Sequence, residues 1–235
     1  PTVMDVRNGL IRRVVEFWGP EFSYEPSAGS GREEVNASRL IPESYDRLAS
    51  CDRVVGKYHE TAFRFSELRL WKRAGKGRDN CVWSGLFIVA DFNKSFRGRI
   101  FVLPDATEKV LGSVLGRAVQ SLPFRCEGKL VHMEDPAFER HFKVYGEDDR
   151  ATRYVLSTSL MQRIVEFKEE MDADVRMAFI DGRVYVALPI VADFFRAPAI
   201  EDVTPDFIRS WVDEIHYVTR ILDALDLNTR VWSKQ

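Results

Sequence analysis

Three polar residues, Asp91, Asn93 and Lys94, follow an apolar run with the spacing D-x-N-K. Polar side chains at a strand-to-turn junction can converge on a ligand, so these residues are candidates for a binding site. Asp and Asn also favour turns, because they hydrogen-bond their own backbone. A calcium loop of the EF-hand type requires a glycine and a distal glutamate that this pattern lacks. We therefore favour a turn and keep the binding site as the alternative.

A second candidate is the acidic cluster of Glu147, Asp148 and Asp149, which is followed by Arg150 and Arg153. Paired carboxylates can hold a metal ion or perform acid–base chemistry. Acids before the first turn of a helix and arginines inside it are also stabilised by the helix dipole and by local ion pairs. We favour the start of a helix over the catalytic interpretation.

The basic residues Lys72, Arg73, Lys76 and Arg78 are the third candidate, at the tip of a predicted hairpin. Such a tip can contact anionic lipid headgroups, with about 1 kcal/mol for each basic residue near an acidic membrane. A solvated tip is the favoured interpretation. Binding to nucleic acid is not expected, because 34 basic and 36 acidic residues nearly cancel and no field of one sign surrounds the chain.

Other chemical motifs are missing from the sequence. The four histidines lack metal-ligand spacing, and the chain has neither a nucleophile elbow nor a complete P-loop. Its three cysteines are odd in number and widely spaced, which favours a reducing compartment such as the cytoplasm. We therefore predict no metal and no cofactor, and we consider an enzyme the less favoured class.

Several elements must position these candidates. Helical spacing predicts a helix over residues 3–18 that stops at Gly19-Pro20, a linker over 23–31 and a short helix through Val35 and Leu40. Alternating and β-branched residues predict extended structure over 54–72, a turn over 72–80, and strands over 82–92 and 99–103, which would form an antiparallel meander. Further predictions are a helix over 106–121, short strands over 129–133 and 142–145, a short helix opened by Pro136, and a helix with a capping box at Ser159 and Gln162.

The strongest local pattern is a hairpin around Asp181-Gly182, since Asp-Gly supplies the positive φ angles of a type I′ turn. Its register places Phe179 opposite Val184 on an apolar face and leaves Tyr185 on a face nearer solvent. Thr204-Pro205-Asp206 opens a long C-terminal helix.

These elements predict an α+β fold with an antiparallel sheet of hairpins and a meander, packed by amphipathic helices. We expect an N-terminal helix over 1–22 and a single α+β domain over 23–235, with 105–128 as the place where two sub-lobes would divide. The longest apolar run, 184–195, contains Pro189 and Asp193 and is too short to span a membrane.

Two blocks of sequence resemble the signatures of an uncharacterised bacterial family, known only as a domain of unknown function. The first block consists of Trp83-Ser84-Gly85-Leu86-Phe87, Ala90-Asp91-Phe92-Asn93-Lys94, Phe96 and Gly98. The second block consists of Asp135-Pro136, Phe138-Glu139, Phe142-Lys143-Val144-Tyr145, Asp149 to Leu156 and Leu160-Met161. A shorter match, Phe65-Ser66-Glu67-Leu68, precedes both blocks. Matching blocks run from residue 22 to residue 225. Members of this family often carry membrane-spanning segments ahead of the matching region, so the resemblance implies the soluble part of a membrane-anchored protein.

The sequence therefore favours a non-catalytic binding or scaffolding domain at the inner face of a bacterial membrane, held there through a segment outside this chain. It would present a sheet surface or edge to a protein partner. The alternative is a hydrolase or small-molecule-binding protein whose pocket gathers polar residues of the two blocks: Asp91, Asn93, Lys94, Asp148, Asp149, Arg150 and Arg153.

Overall fold

The computed structural model describes residues 2–41, 43–75, 77–105, 128–171, 174–190, 194–196, 204–225 and 227 of the 235-residue chain. The helices in these ranges are α1 (Val3–Trp18), α2 (Arg32–Ser38), α3 (Pro136–His141), α4 (Asp149–Val155), α5 (Thr158–Met171) and α6 (Pro205–Ala224). The strands are β1 (Ser23–Glu25), β2 (Arg47–Tyr58), β3 (Thr61–Ala74), β4 (Arg78–Asp91), β5 (Arg99–Pro104), β6 (Lys129–Val131), β7 (Phe142–Gly146), β8 (Arg176–Ile180) and β9 (Arg183–Pro189).

All nine of these strands form one antiparallel sheet in the order β1-β2-β3-β4-β9-β8-β5-β7-β6. The predicted α+β class is confirmed. The predicted meander of 54–72, 82–92 and 99–103 is only partly correct. The segment 54–72 forms parts of two strands, β2 and β3, which make a meander with β4, whereas β5 does not continue it. The β8–β9 hairpin lies between β4 and β5. Strand β9 pairs with β4 from Gly85 to Asp91, along the edge of β4 that does not pair with β3. Such a long-range pairing leaves no signal in the turn after β4.

The predicted hairpin register is confirmed, with Phe179 opposite Val184 and Asp181 and Gly182 at φ angles of 47° and 79°. The expectation that the other face lies nearer solvent is wrong for Tyr185, which is 9% exposed. Tyr185 packs in a second apolar cluster with Phe87 and Phe101. Side chains from α2 and the following segment cover this face, so the centre of the sheet is buried on both sides.

The larger apolar cluster lies between the opposite face of the sheet and α1, α5 and α6. Helix α1 begins with a capping box of Thr2 and Asp5 and ends at Gly19. Helix α6 has the predicted Thr204 N-cap and first-turn proline. Its buried stripe is Trp211, Ile215, Val218, Leu222 and Leu225.

Three local predictions need adjustment or lie outside the described residues. The predicted linker contains β1, because its residues pair with Arg53 to Val55 of β2. The turn between β3 and β4 is shorter than predicted, since pairing continues to Ala74 and Arg78. The predicted helix over 106–121 falls in the undescribed range 106–127. The division into an N-terminal helix and one domain stays a prediction.

Candidate functional site

A buried arginine anchors the candidate site. Arg7 lies one turn before Ile11 on the apolar stripe of α1 and is only 6% exposed. Its guanidinium group donates from Nη1 and Nη2 to the two carboxylate oxygens of Asp52, at 3.0 and 2.7 Å. Its Nε donates to the Phe195 carbonyl at 2.8 Å. This two-pronged pairing to a carboxylate is the strongest geometry available to an arginine side chain.

A β-bulge aims Asp52 at Arg7. The register of β2 shifts between Cys51 and Val54, and Asp52 adopts a φ of 55°. Bulges redirect a side chain and cluster near functional sites. The Tyr24 hydroxyl also donates to Asp52. Burial of Tyr24, together with this hydrogen bond and the carboxylate charge, raises the Tyr24 pKa, so the phenol stays protonated and remains a donor.

Phe195 is the second residue with a left-handed backbone that touches this network, with a φ of 50°. Its amide donates to the Glu214 carboxylate at 2.8 Å, while its carbonyl accepts from Arg7. Burial raises the pKa of Glu214 to about 7 despite the amide hydrogen bond. Left-handed non-glycine residues cost of order 1–3 kcal/mol each and concentrate at functional sites. Both such residues here are held by one guanidinium group.

An open groove of about 450 Å³ lies beside this network, and we call it the β2–β3 groove. Its floor is formed by Ala49 and Cys51 of β2 and by Glu67, Arg69 and Trp71 of β3. Cross-strand register pairs Cys51 with Glu67 and Ala49 with Arg69, so these side chains share one face of the sheet. The walls are the first turns of α1, through Met4 and Asn8, and the segment Phe194 to Arg196.

Charges on the floor are fixed by their partners. Glu67 is 6% exposed, and its Oε1 accepts from Nε and Nη2 of Arg69 at 2.8 and 2.6 Å. The Arg69 side chain is 37% exposed. The groove therefore offers solvent a positive group whose orientation is set by a buried acid.

One trio at the floor has the composition of a metal site. The donor atoms of Cys51, Asp52 and Glu67 lie within 4.8 Å of one another. Both Asp52 oxygens accept from Arg7, and Glu67 accepts from Arg69. Burial, followed by the neighbouring carboxylates, raises the pKa of the Cys51 thiol to about 12. A metal needs the thiolate and unengaged carboxylates, so this trio fits an ion-pair network better than a metal site.

Three serines form a hydrogen-bonded cluster on the face of the sheet opposite the groove floor. The hydroxyl groups of Ser30 and Ser50 each lie 3.0 Å from that of Ser66. The Ser30 amide also donates to the Ser50 hydroxyl at 2.9 Å. A Cβ at Gly29 would lie 2.5 Å from the Ser50 carbonyl carbon, so only glycine permits this close approach. The segment before α2 is thereby packed against β2.

A second groove of about 460 Å³ lies at the end of α1. Its walls are aromatic, with Trp18 5.3 Å from the His216 ring and Tyr58 4.5 Å from the His59 ring. It has no counterpart of the buried Arg7–Asp52 pair among the described residues that line it. The β2–β3 groove is the better candidate.

A family model described as "Protein of unknown function (DUF3137)" matches residues 81–227, which is more than half of the chain. This chain belongs to the DUF3137 family. The match includes Phe195 and Glu214 but begins after the floor of the β2–β3 groove. The predicted family resemblance is thus confirmed at the level of a domain of unknown function.

Comparison with solved structures aligns the DUF3137 chain with a crystal structure of the mycobacterial trehalose monomycolate transport factor A, TtfA. The alignment covers 95% of this chain and 98% of that one, with a TM-score of 0.44 and 16% sequence identity. No curated protein matches the sequence. Among the described residues, no helix has the length and apolar character needed to cross a membrane.

The two signature blocks of the DUF3137 chain do meet, through Lys94. Its ammonium group donates to the carbonyls of Tyr154 and Val155 at 2.9 and 3.0 Å, at the end of α4. Asn93 is half-buried in the turn before Lys94, and Asp91 is exposed at the end of β4, opposite Arg183. Lys94 therefore caps a helix C-terminus, where a positive charge is stabilising.

The acidic cluster lies at the other end of α4. Asp148 is the N-cap and accepts from the Ala151 amide at 2.7 Å, and Asp149 lies 3.5 Å from Arg153. Arg153 also donates to the His132 carbonyl, and Arg150 is exposed. These contacts match the favoured helix start. A ligand role for the predicted residues stays a prediction.

The basic tip lies at the β3–β4 turn, where Lys72 and Arg73 face Asn80 and Asp79 across the hairpin. Lys72 donates to the Ser44 hydroxyl at 2.7 Å, and Arg78 is exposed. Lys76 lies outside the described residues. Contact with lipid or another anion at this tip stays a prediction.

A site role for Arg7, Asp52 and Glu67 was not predicted from the sequence. One signal was present: Arg7 occupies a position between Val3 and Ile11 on the apolar stripe of α1, where a charge requires a buried partner. Asp52 and Glu67 gave a weaker signal, as acids inside strands. Their convergence with Arg7 depends on long-range contacts that spacing does not show.

Proposed function

We propose that this DUF3137 chain is a non-catalytic binding domain whose β2–β3 groove receives a segment of a protein partner. As part of the same proposal, it works at the cytoplasmic face of a bacterial membrane. The free thiols of Cys51 and Cys81 support the reducing compartment, and the basic tip supports proximity to acidic lipid.

The observation that carries the proposal is the groove over the Arg7–Asp52 pair. Two strained residues, Asp52 and Phe195, flank it and are fixed by the same guanidinium group. Binding is tighter when the contact surface is held in place before the partner arrives, because less conformational freedom is lost. A rigid groove with an exposed aromatic edge and polar floor fits this role.

The ionisable groups in the groove are poorly suited to catalysis. The Cys51 pKa of about 12 keeps the nucleophile protonated. Asp52 is engaged by Arg7 and Tyr24, so it is not available as a base. No histidine is found among the described residues that line the groove.

Site-specific photo-cross-linking in the native host tests the proposal. A benzophenone amino acid at Ser27, which is exposed and lines the groove, should give a discrete protein adduct. The same amino acid at Glu166, exposed on α5, is the matched control. Trp71→Ala should remove the Ser27 adduct without unfolding the chain. Equal adducts at both positions, or none at Ser27, would contradict a partner in the groove.

The hydrolase or small-molecule pocket remains a second candidate, supported by the contact of Lys94 with α4. It requires Asp149 and Arg153 to act on a shared substrate. Loss of a measurable turnover in folded Asp149→Asn protein would favour this candidate over the binding domain.

A further inference from the structure

Acidic and basic groups in the β2–β3 groove differ in their accessibility to a ligand. The Asp52 and Glu67 side chains are 5% and 8% exposed, and each accepts from an arginine. The Arg69 side chain is 37% exposed, and Arg196 on the opposite wall is exposed as well. Both carboxylates lie beneath the surface, while two guanidinium groups reach it.

The net charge of the residues that line the groove is positive as well. Three arginines and two carboxylates are found among the described residues that line the groove: Arg7, Arg69, Arg196, Asp52 and Glu67. Arg7 is paired with Asp52, and Glu67 orients Arg69. Arg196 lies over the Phe207 ring, 5.7 Å from its centroid, and its charge acts on the Glu214 carboxylate, which lies outside the residues that line the groove. The remaining charge in the groove is positive.

Apolar surface lies next to these guanidinium groups. Trp71 is a half-buried residue of the floor, and Met4, 52% exposed, belongs to the α1 wall. Phe194 lies beside Arg196 on the other wall. A ligand that fills the groove thus meets a cation and an apolar surface together.

We propose that the β2–β3 groove recognises a carboxylate on the partner segment, bound by Arg69 and Arg196, with an adjacent apolar side chain against Trp71 and Met4. This inference rests on the proposed binding function and adds the chemistry of the ligand. A guanidinium group binds carboxylates through paired, charge-assisted hydrogen bonds. Glu67 holds the Arg69 group in place, which lowers the ordering cost of that contact.

Three small probes of the same size test the assignment by NMR titration of the full chain. They are N-acetylphenylalanine, which carries a carboxylate, its neutral amide, and phenethylamine, which is a cation. The carboxylate should bind at least tenfold more tightly than the amide and should weaken as salt is raised. Equal binding of acid and amide, or tighter binding of the amine, would overturn the assignment.

Matched substitutions locate the site. Arg196→Gln should lower carboxylate affinity at least tenfold, to the level of the amide, because an exposed cation is lost without disturbing the core. Arg97→Gln makes the same change at an exposed arginine outside the groove and should have no effect. Arg69→Lys keeps the charge over Glu67 and should weaken binding severalfold through loss of the planar fork. An unchanged affinity in Arg196→Gln would refute the assignment.

Ala49→Trp separates this inference from the proposed function, because it fills the groove from an exposed position. It should abolish both the partner adduct and carboxylate binding. A partner adduct with no preference for carboxylate would leave the binding function standing and refute the anion site. Carboxylate binding that survives Ala49→Trp would place the anion elsewhere and refute the inference.

Discussion

Replacing Arg7 with methionine should be among the most destabilising single changes in this chain. The side chains of Arg7 and Asp52 are 7% and 5% exposed, so Arg7→Met leaves a carboxylate buried without its counter-ion. Breaking a buried pair in this way typically costs about 3–5 kcal/mol. The lost bond to the Phe195 carbonyl, 2.8 Å long, also frees a strained backbone segment.

A double-mutant cycle isolates the contribution of the pair. Asp52→Asn removes the charge but retains a side chain that tolerates the left-handed backbone at φ 55°. Arg7→Met and Asp52→Asn together should cost little more than either alone, because the second change removes a group that the first has already left unpaired. We expect a coupling free energy of about 2–3 kcal/mol.

Urea unfolding at pH 7, followed by tryptophan fluorescence and circular dichroism, measures these free energies. For a domain of this size, about 3–5 kcal/mol corresponds to a fall in melting temperature of roughly 6–20 °C. A loss below about 1 kcal/mol in Arg7→Met, the scale of an exposed pair, or additive effects in the cycle, would refute the buried pair as the anchor of the site.

Three further predictions concern single groups. Because burial raises the pKa of Glu214 from 4.5 to about 7, folding stability should fall as pH rises through this window. Glu214→Gln should therefore stabilise the fold by about 1–2 kcal/mol at pH 8 and leave it unchanged at pH 4, after allowance for solvent screening. The Cys51 thiol, with a pKa of about 12, should react with iodoacetamide about 100-fold more slowly than free cysteine at pH 7.5. Lys94→Met should cost about 1–2 kcal/mol, since two helix carbonyls lose their donor.

Each of these predictions has a control or a result that would contradict it. Glu166→Gln, an exposed change on α5, should show no gain at pH 8, and an equal gain there would remove the case for Glu214. Rapid alkylation of Cys51 in folded protein, mapped by mass spectrometry, would mean that its thiolate is stabilised and would revive the metal interpretation. Unchanged stability of Lys94→Met, measured by urea unfolding, would show that Lys94 does not support α4.

Local sequence signals predicted most helices and strands of this fold, but not which strands pair with one another in the sheet. The Asp181-Gly182 turn fixes the register of β8 and β9, because a two-residue loop allows only one pairing. Nothing in that turn indicates that β9 pairs with β4 and so separates β4 from β5. Burial of Tyr185 was missed for the same reason, since the side chains that cover it come from α2 and distant strands.

The candidate site was less predictable than the fold. Asp148 and Lys94 stand out in sequence as polar residues at element ends, and the structure uses both as helix caps. Arg7 and Asp52 are 45 residues apart and meet only because a bulge in β2 turns Asp52 toward α1. Sequence spacing reports chemistry within one element, whereas this pair joins a helix to a strand.

Arg7 also determines the shape of the groove without lying at its open surface. Its guanidinium group holds Asp52, the neighbour of Cys51 on the floor, and the carbonyl of Phe195, the neighbour of Arg196 on the wall. Both held residues have left-handed backbones that relax unless the surroundings fix them. A change at Arg7 that leaves the chain folded, such as Arg7→Lys, should therefore weaken carboxylate binding through misplaced Arg196, because a lysine ammonium group cannot bond both positions in this geometry.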